Sequence, residues 1–308
     1  MPISSEIFNN IWKTYNRCFQ IIVSPHYHKD LGDPIGFGSG FLLNYGGINY
    51  FITADHVTSP HNHPDFVKWG DDCICGVASG RNDAEKHTQL CVVLKSRFEF
   101  VRAPKPADEN DLVFPEEVDL TFCEAPKEIY ECVTLGFTLP HSILNFPSNQ
   151  RKGGFIQTEI INEKEVENAT YFVIGTILGV DNTTNDGCVK HKAHLNLKFS
   201  HYEDETIVLT TDSLINRIRD WSGLSGSPVV SYDGKLLGML FKASDGFHEI
   251  RVMPIKSIIS KIDLIQRMEQ NGIDLEEPFI VVGPNVSLED VKNNPAMQEI
   301  VSNLEKNK

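Results

Sequence analysis

The chain has 308 residues, of which 41% are hydrophobic and 23% charged. That length buries a sizeable core without staples, and that balance excludes disordered, collagenous, coiled-coil and membrane-spanning classes. Lys and Arg total 28 against 42 Asp and Glu, and the resulting charge of −14 repels polyanions, so neither nucleic acid nor an anionic membrane is an expected partner.

Residues 1–15, interrupted by Glu6, Asn9, Asn10 and Lys13, lack the basic start and unbroken apolar centre of an export signal. The seven cysteines form an odd, scattered set that fits reduced thiols, and the expected location is cytoplasmic. Cys73 and Cys75 make only a C-x-C pair without a second pair, so no metal and no cofactor is expected.

In chain order, Ile7, Ile11 and Trp12 behind Ser4, Ser5 and Glu6 predict a short amphipathic helix over 4–16. From Cys18 the texture changes to short runs of Val, Ile, Phe, Tyr and Thr broken by Gly, Asn, Asp and Pro, as in antiparallel sheets. Strands are predicted at 19–23, 39–43, 49–53, 91–94, 119–123 and 132–136, with the acidic, proline-rich stretch 103–117 as a surface loop. A second group follows at 155–160, 171–178, 194–199, 206–209, 228–231, 236–241 and 249–253, with Tyr232-Asp233-Gly234-Lys235 as a hairpin turn. Helical period returns in the stripe Ile255, Ile258, Ile259, Ile262, Ile265 and Met268, and again over 287–306 with a break at Pro295.

Short strands of even length hide their edges by closing. The expected fold is therefore all-β, with two packed six-stranded antiparallel β-barrels flanked by an N-terminal helix and a C-terminal helical extension. The expected boundaries are 1–17, 18–128, 129–254 and 255–308, with the junction near 125–131.

Three segments share one chemical logic: Gly38–Leu43 with Ile52-Thr53-Ala54-Asp55-His56-Val57, then Asp119-Leu120, then Gly223-Leu224-Ser225-Gly226-Ser227-Pro228. A serine hydroxyl is a weak nucleophile that needs a base, and the base needs an orienting carboxylate. Here the three occur in the order His, Asp, Ser, each at the edge of a predicted strand. These motifs resemble the T-A-x-H, D-[LI] and G-x-S-G-[GS]-P segments of the trypsin/chymotrypsin-like serine peptidases, over about residues 20–260. The compact, disulfide-free flavour is similar to the bacterial HtrA/Deg and glutamyl-endopeptidase-like branches. Val133–Phe137 resembles the strand that opens their second barrel.

The resemblance implies that His56 is the general base, Asp119 its orienting carboxylate and Ser225 the nucleophile, with an oxyanion hole from the N–H groups of Gly223 and Ser225. It also implies Gly226 as a close-packing residue and Pro228 as the start of the next strand. Leu224 stands where zymogen-activated members carry an acid, so activation by a new N-terminus is not expected. With the residues that follow Ile258, a PDZ domain and HtrA-style regulation are not expected.

Asp108 and Asp111 compete with Asp119 for the acid role but lie in the polar loop. The pairs His26/His28, His61/His63 and His191/His194 lack a converging ligand set and read as solvated loop residues. The resemblance implies a substrate pocket at Arg219, Asp220, Phe241, Ala243 and Phe247. Arg219 favours an acidic side chain, Asp220 offsets it, and Phe247 fills the pocket in favour of a small one.

The expected function is an intracellular serine endopeptidase acting through an acyl-enzyme. It is restricted to a particular protein or peptide substrate, with a regulatory partner protein. The competing reading is a peptide-binding, protease-like module that captures a strand by edge addition and cleaves weakly or not at all.

Overall fold

The computed structural model describes residues 3–27, 30–31, 36–58, 73–79, 89–93, 98–102, 116–132, 137–138, 145–146, 159–180, 187–212, 214–215, 221–244 and 246–270. The chain begins with α1 (Ser5–Arg17), capped by Ser4, whose hydroxyl accepts from the Ile7 N–H at 3.2 Å. Ile11 and Tyr15 are fully buried, and Asn10 and Thr14 also face inward. These two polar residues are tolerated because each is bonded. Asn10 Nδ2 donates to the Tyr232 carbonyl at 3.0 Å, and Thr14 Oγ1 donates to the Asn10 carbonyl at 2.8 Å.

An antiparallel sheet follows, built from β1 (Cys18–Tyr27), β2 (Asp30–Leu31), β3 (Gly36–Tyr45), β4 (Ile48–Thr53), β5 (Cys73–Ser79), β6 (Gln89–Val93), β7 (Phe98–Arg102) and β8 (Glu116–Glu124). Its spatial order is β6-β5-β1-β3-β4-β8-β7, with β2 paired to β1. Among the described residues no ladder joins the end strands β6 and β7, so where a first closed barrel was expected the described strands form a sheet with two edges. Three of its strands, the short β2 and the longer β5 and β7, are additions to the sequence reading. Cys73 and Cys75 sit in β5, paired with Pro25 and Val23, which gives the C-x-C spacing a strand's alternation.

A 3₁₀ turn at Lys127–Glu131 occupies the expected junction. Next, β9 (Phe137–Thr138) and β10 (Asn145–Phe146) form a small separate ladder. Phe137 therefore does not belong to the strand that opens the closed barrel. Residues 133–136, 155–158 and 287–306, where further elements were expected, lie outside the described residues.

The barrel runs through β11 (Thr170–Val180), β12 (Gly187–Glu203), β13 (Thr206–Thr210), β14 (Pro228–Ser231), β15 (Leu236–Ala243) and β16 (Glu249–Pro254). It closes in the order β11-β12-β13-β16-β15-β14, preceded by the short helix α2 (Asp55–Thr58) in the first half and α3 (Glu163–Val166) before β11. The last described element is α4 (Ile255–Gln270), which buries Ile255, Ile258, Ile262 and Ile265. Among the described residues no helix is long and apolar enough to cross a membrane.

Alternation along β11 explains how the two halves meet. Tyr171 and Val173 enter the barrel core with Leu197, Leu209, Val229 and Val252. Phe172 and Ile174 point the other way, into a core shared with Phe19, Phe41, Phe51 and Phe122 of the first sheet. A strand buried on both faces has to read as an unbroken apolar run, as Tyr-Phe-Val-Ile does.

Candidate functional site

The first part of the site grows out of the β3–β4 hairpin. Gly46 and Gly47 form its two-residue turn at φ of 60° and 83°, the left-handed geometry that matches strand twist. The hairpin register then delivers Thr53 to the end of β4, opposite Thr121 of β8. One helical turn, α2, follows immediately. It is pinned from below because Thr121 Oγ1 donates to Asp55 Oδ1 at 2.6 Å and Thr58 Oγ1 donates to the Asp55 carbonyl at 3.0 Å. Asp55, Val57 and Thr58 are buried, so the residue left facing outward is His56.

Two residues before Thr121, β8 presents Asp119. Its carboxylate receives the His56 ring at Nδ1, 2.9 Å from Oδ1 and 2.8 Å from Oδ2, and Oδ1 also accepts the His56 backbone N–H at 3.1 Å. An ionised carboxylate only accepts, so Nδ1 carries the proton and the Nε2 lone pair is left for other work. Burial around the ring lowers its basicity, yet the hydrogen bond to Asp119 and the charges of Asp119 and Asp55 outweigh that, so His56 titrates above its ordinary value. The side chain is still 50% exposed, which leaves this pair partly screened by water.

The second part is the loop 221–227, which enters the barrel end by two apolar anchors. Trp221 is 6% exposed and Leu224 is fully buried, both within the barrel core. The Leu224 N–H donates to the Trp221 carbonyl at 3.0 Å and the Ser227 N–H to the Leu224 carbonyl at 2.9 Å. Between the anchors Gly223 adopts φ 93° and after them Gly226 adopts φ 85°. A Cβ on Gly226 would lie 1.9 Å from the Ser39 carbonyl oxygen, so the close packing expected there is real. Among the described residues, the N–H groups of Gly223 and Ser225 have no hydrogen-bond acceptor.

Ser39 of β3 joins the two parts, a role the sequence reading missed. Its N–H donates to the Ser225 carbonyl at 2.9 Å. Its hydroxyl donates to the Gly223 carbonyl at 2.8 Å and accepts the Thr176 N–H at 2.9 Å. Its own carbonyl accepts from Thr53 Oγ1 at 2.8 Å. The fully buried Ser39 thus ties the loop carrying Ser225 to the strand that leads into His56. The available signal was the pair of glycines around it, since a side chain at Gly38 or Gly40 would strike Val57 or Phe51 within 2.6 Å.

Ser225 itself is half-buried. Among the described residues neither its Oγ nor His56 Nε2 carries a hydrogen bond, so the His–Asp pair is formed while the serine has no bonded base. Such bonds are commonly long without substrate and tighten in the reacting complex.

The pocket residues are less unified. Arg219 and Asp220 lie outside the described residues, as do Asp108, Asp111, His28, His61 and His63. Phe241 packs beside the core shared with the first sheet, and Ala243 beside the barrel core. Phe247 is 60% exposed in the β15–β16 turn, so it does not fill a closed pocket as expected. His191 and His194 are strand residues of β12 packed on aromatic rings, not solvated loop residues. Among the described residues no three His, Cys, Asp or Glu side chains gather as a metal site. A cleft of about 100 Å³ lies under α1, lined by Lys13, Arg17, Glu159 and Asp233 among others, and includes none of His56, Asp119 and Ser225.

No known family model matches the chain, and no curated protein matches it either.

Proposed function

We propose that the protein is a serine endopeptidase of chymotrypsin-like, two-barrel design. Ser225 is the nucleophile, His56 the base and Asp119 its orienting carboxylate. The observation that carries this reading is the His56–Asp119 pair, with Nδ1 engaged and Nε2 unbonded among the described residues, tied through Ser39 to a loop whose Gly223 and Ser225 N–H groups have no acceptor among them.

In this reading Ser225 Oγ forms a bond to the peptide carbonyl carbon while His56 Nε2 takes its proton. The carbonyl oxygen becomes an oxyanion between the Gly223 and Ser225 N–H groups. Collapse breaks the C–N bond, and the imidazolium returns the proton to the departing amine. Water, deprotonated by the same ring, then releases the acid and restores the serine. Each oxyanion donor contributes about 2.7–4 kcal/mol of transition-state stabilisation. The compartment is proposed to be the cytoplasm, with a restricted protein substrate and a regulatory partner limiting the activity.

The test is labelling with a fluorophosphonate probe together with cleavage of a diverse peptide library, beside Ser225→Ala. Labelling at Ser225 with defined cut sites supports the reading. A second reading, peptide capture without cleavage, draws on the missing bond between Ser225 Oγ and His56 Nε2 among the described residues. Saturable peptide binding without labelling would select it.

A further inference from the structure

Trp221, four residues before Ser225, takes part in an unusual ring pair. His194 lies on β12 directly opposite Val173, so both side chains share the face that looks into the barrel. Its imidazole lies flat on the indole of Trp221, with ring centroids 3.7 Å apart and planes 14° from parallel. The other described ring pairs stand 4.8 Å or more apart and are more strongly tilted. One partner belongs to a barrel strand and the other to the glycine-containing segment whose Gly223 and Ser225 N–H groups have no acceptor among the described residues.

We propose that His194 is a positioning residue for the oxyanion-binding loop, acting through its stack on Trp221; the proposal rests on the serine-peptidase reading of that loop. The argument is geometric. Trp221 lies four positions before Ser225, and its carbonyl accepts the N–H of Leu224, the residue between Gly223 and Ser225. The Gly223 carbonyl is held by the Ser39 hydroxyl, while its N–H lies on the Trp221 side of the residue, so where Trp221 is held bears on the direction of that N–H. Leu224 is held by burial and by hydrogen bonds inside the loop, donated by its N–H to the Trp221 carbonyl and accepted by its carbonyl from the Ser227 N–H, so its placement depends in turn on Trp221. A stacked pair of flat rings adds a constraint from the barrel strand to those supplied by Ser39 and the backbone bonds, because it fixes both the height and the tilt of the indole. Small misplacement of catalytic donors is expensive in rate even when the fold is intact.

The experiment compares wild type with His194→Phe, which keeps a flat ring, and with His194→Leu and His194→Gln, which remove it. Fluorophosphonate acylation of Ser225, thermal midpoint, and amide exchange of segment 221–227 are measured on each. In the ringless variants acylation is expected to slow about tenfold or more. Exchange of the Leu224 and Ser227 amides is expected to quicken, while the Gly226 amide, bonded to Leu240, stays protected. His194→Phe is expected to stay within about threefold of wild type. Unchanged exchange and acylation in both ringless variants would overturn the proposal, as would a His194→Phe variant as impaired as His194→Leu. Absence of labelling in wild type would instead defeat the peptidase reading, and the exchange data would still decide whether His194 positions the loop.

Discussion

Ser39 and Gly223, 184 residues apart in the chain, are joined by a hydrogen bond of 2.8 Å from the Ser39 hydroxyl to the Gly223 carbonyl. The same hydroxyl accepts the Thr176 N–H, so its removal leaves two buried backbone groups without their partner. Ser39→Ala is expected to destabilise the protein by about 1–3 kcal/mol and to slow acylation of Ser225 more than the stability loss explains. Urea unfolding and probe labelling under native conditions measure the two effects. Wild-type values for both would remove Ser39 from its joining role.

Two glycines with nearly the same backbone angle separate strain from space. Gly47, at φ 83°, has nothing within 4 Å of a Cβ, whereas Gly226, at φ 85°, would press one to 1.9 Å from the Ser39 oxygen. Gly47→Ala is expected to cost about 1–2 kcal/mol, the price of a left-handed alanine. Gly226→Ala is expected to cost more than about 4 kcal/mol or to prevent folding, because backbone must move. Equal midpoints in denaturant for the two variants would contradict this account.

In the proposed peptidase, titration of His56 is expected to set the acidic limb of activity. The ring must be neutral to accept the Ser225 proton, and its pKa lies above the ordinary imidazole value, so the limb is expected on the alkaline side of that value. The stability the pair contributes runs in the opposite sense. It is fully present below the unfolded-state pKa and is lost as pH rises through the raised folded value. In Asp119→Asn the raising influences of Asp119 disappear and burial still lowers the basicity, so the limb moves to lower pH while the maximum rate falls. A pH series of probe labelling checks both directions, and a limb that stays in place would disconnect His56 from Asp119.

Ser227 offers a prediction of the opposite kind. Its hydroxyl is fully buried and, among the described residues, has no hydrogen-bond partner, and a Cβ on Gly175 would fall 2.0 Å from it. Deleting an unsatisfied buried hydroxyl removes a desolvation cost, so Ser227→Ala is expected to be neutral or to stabilise by up to about 1 kcal/mol. A loss of more than that in urea unfolding would mean the hydroxyl makes a contact that the structure does not contain.

The contrast between residues readable from sequence and those that were not follows sequence distance. His56 lies on the helical turn just after β4 and Asp119 within β8, both reached along strands whose alternation is local, and Gly226 and Pro228 announce a tight turn into β14. The stripe of α4 was equally local. Ser39 and Thr176, by contrast, acquire their roles across 137 residues, where no short pattern reports them. His194 looked like half of a loop pair because its neighbour is another histidine, and only the ladder with Val173 turns it inward. In α1 the expected apolar stripe shares its buried face with Asn10, whose amide reaches Tyr232, 222 residues away. β5 escaped notice because glycine and cysteine dilute its alternation, although β7 carried a readable Phe98/Phe100 repeat.

The attachments of α4 set an order of events during synthesis. Asp263 accepts from Tyr45 Oη at 2.9 Å and Gln266 Nε2 donates to Tyr50 Oη at 2.7 Å, so the β3–β4 hairpin is braced by residues made more than two hundred positions later. Cys18, at the start of β1, likewise donates to the carbonyl of Ile174. A nascent chain emerging from the ribosome therefore holds His56 and Asp119 in a half whose supports have yet to be translated. The site becomes complete only when nearly all the described chain is out, and a truncated product carries the chemical groups without the frame that aims them.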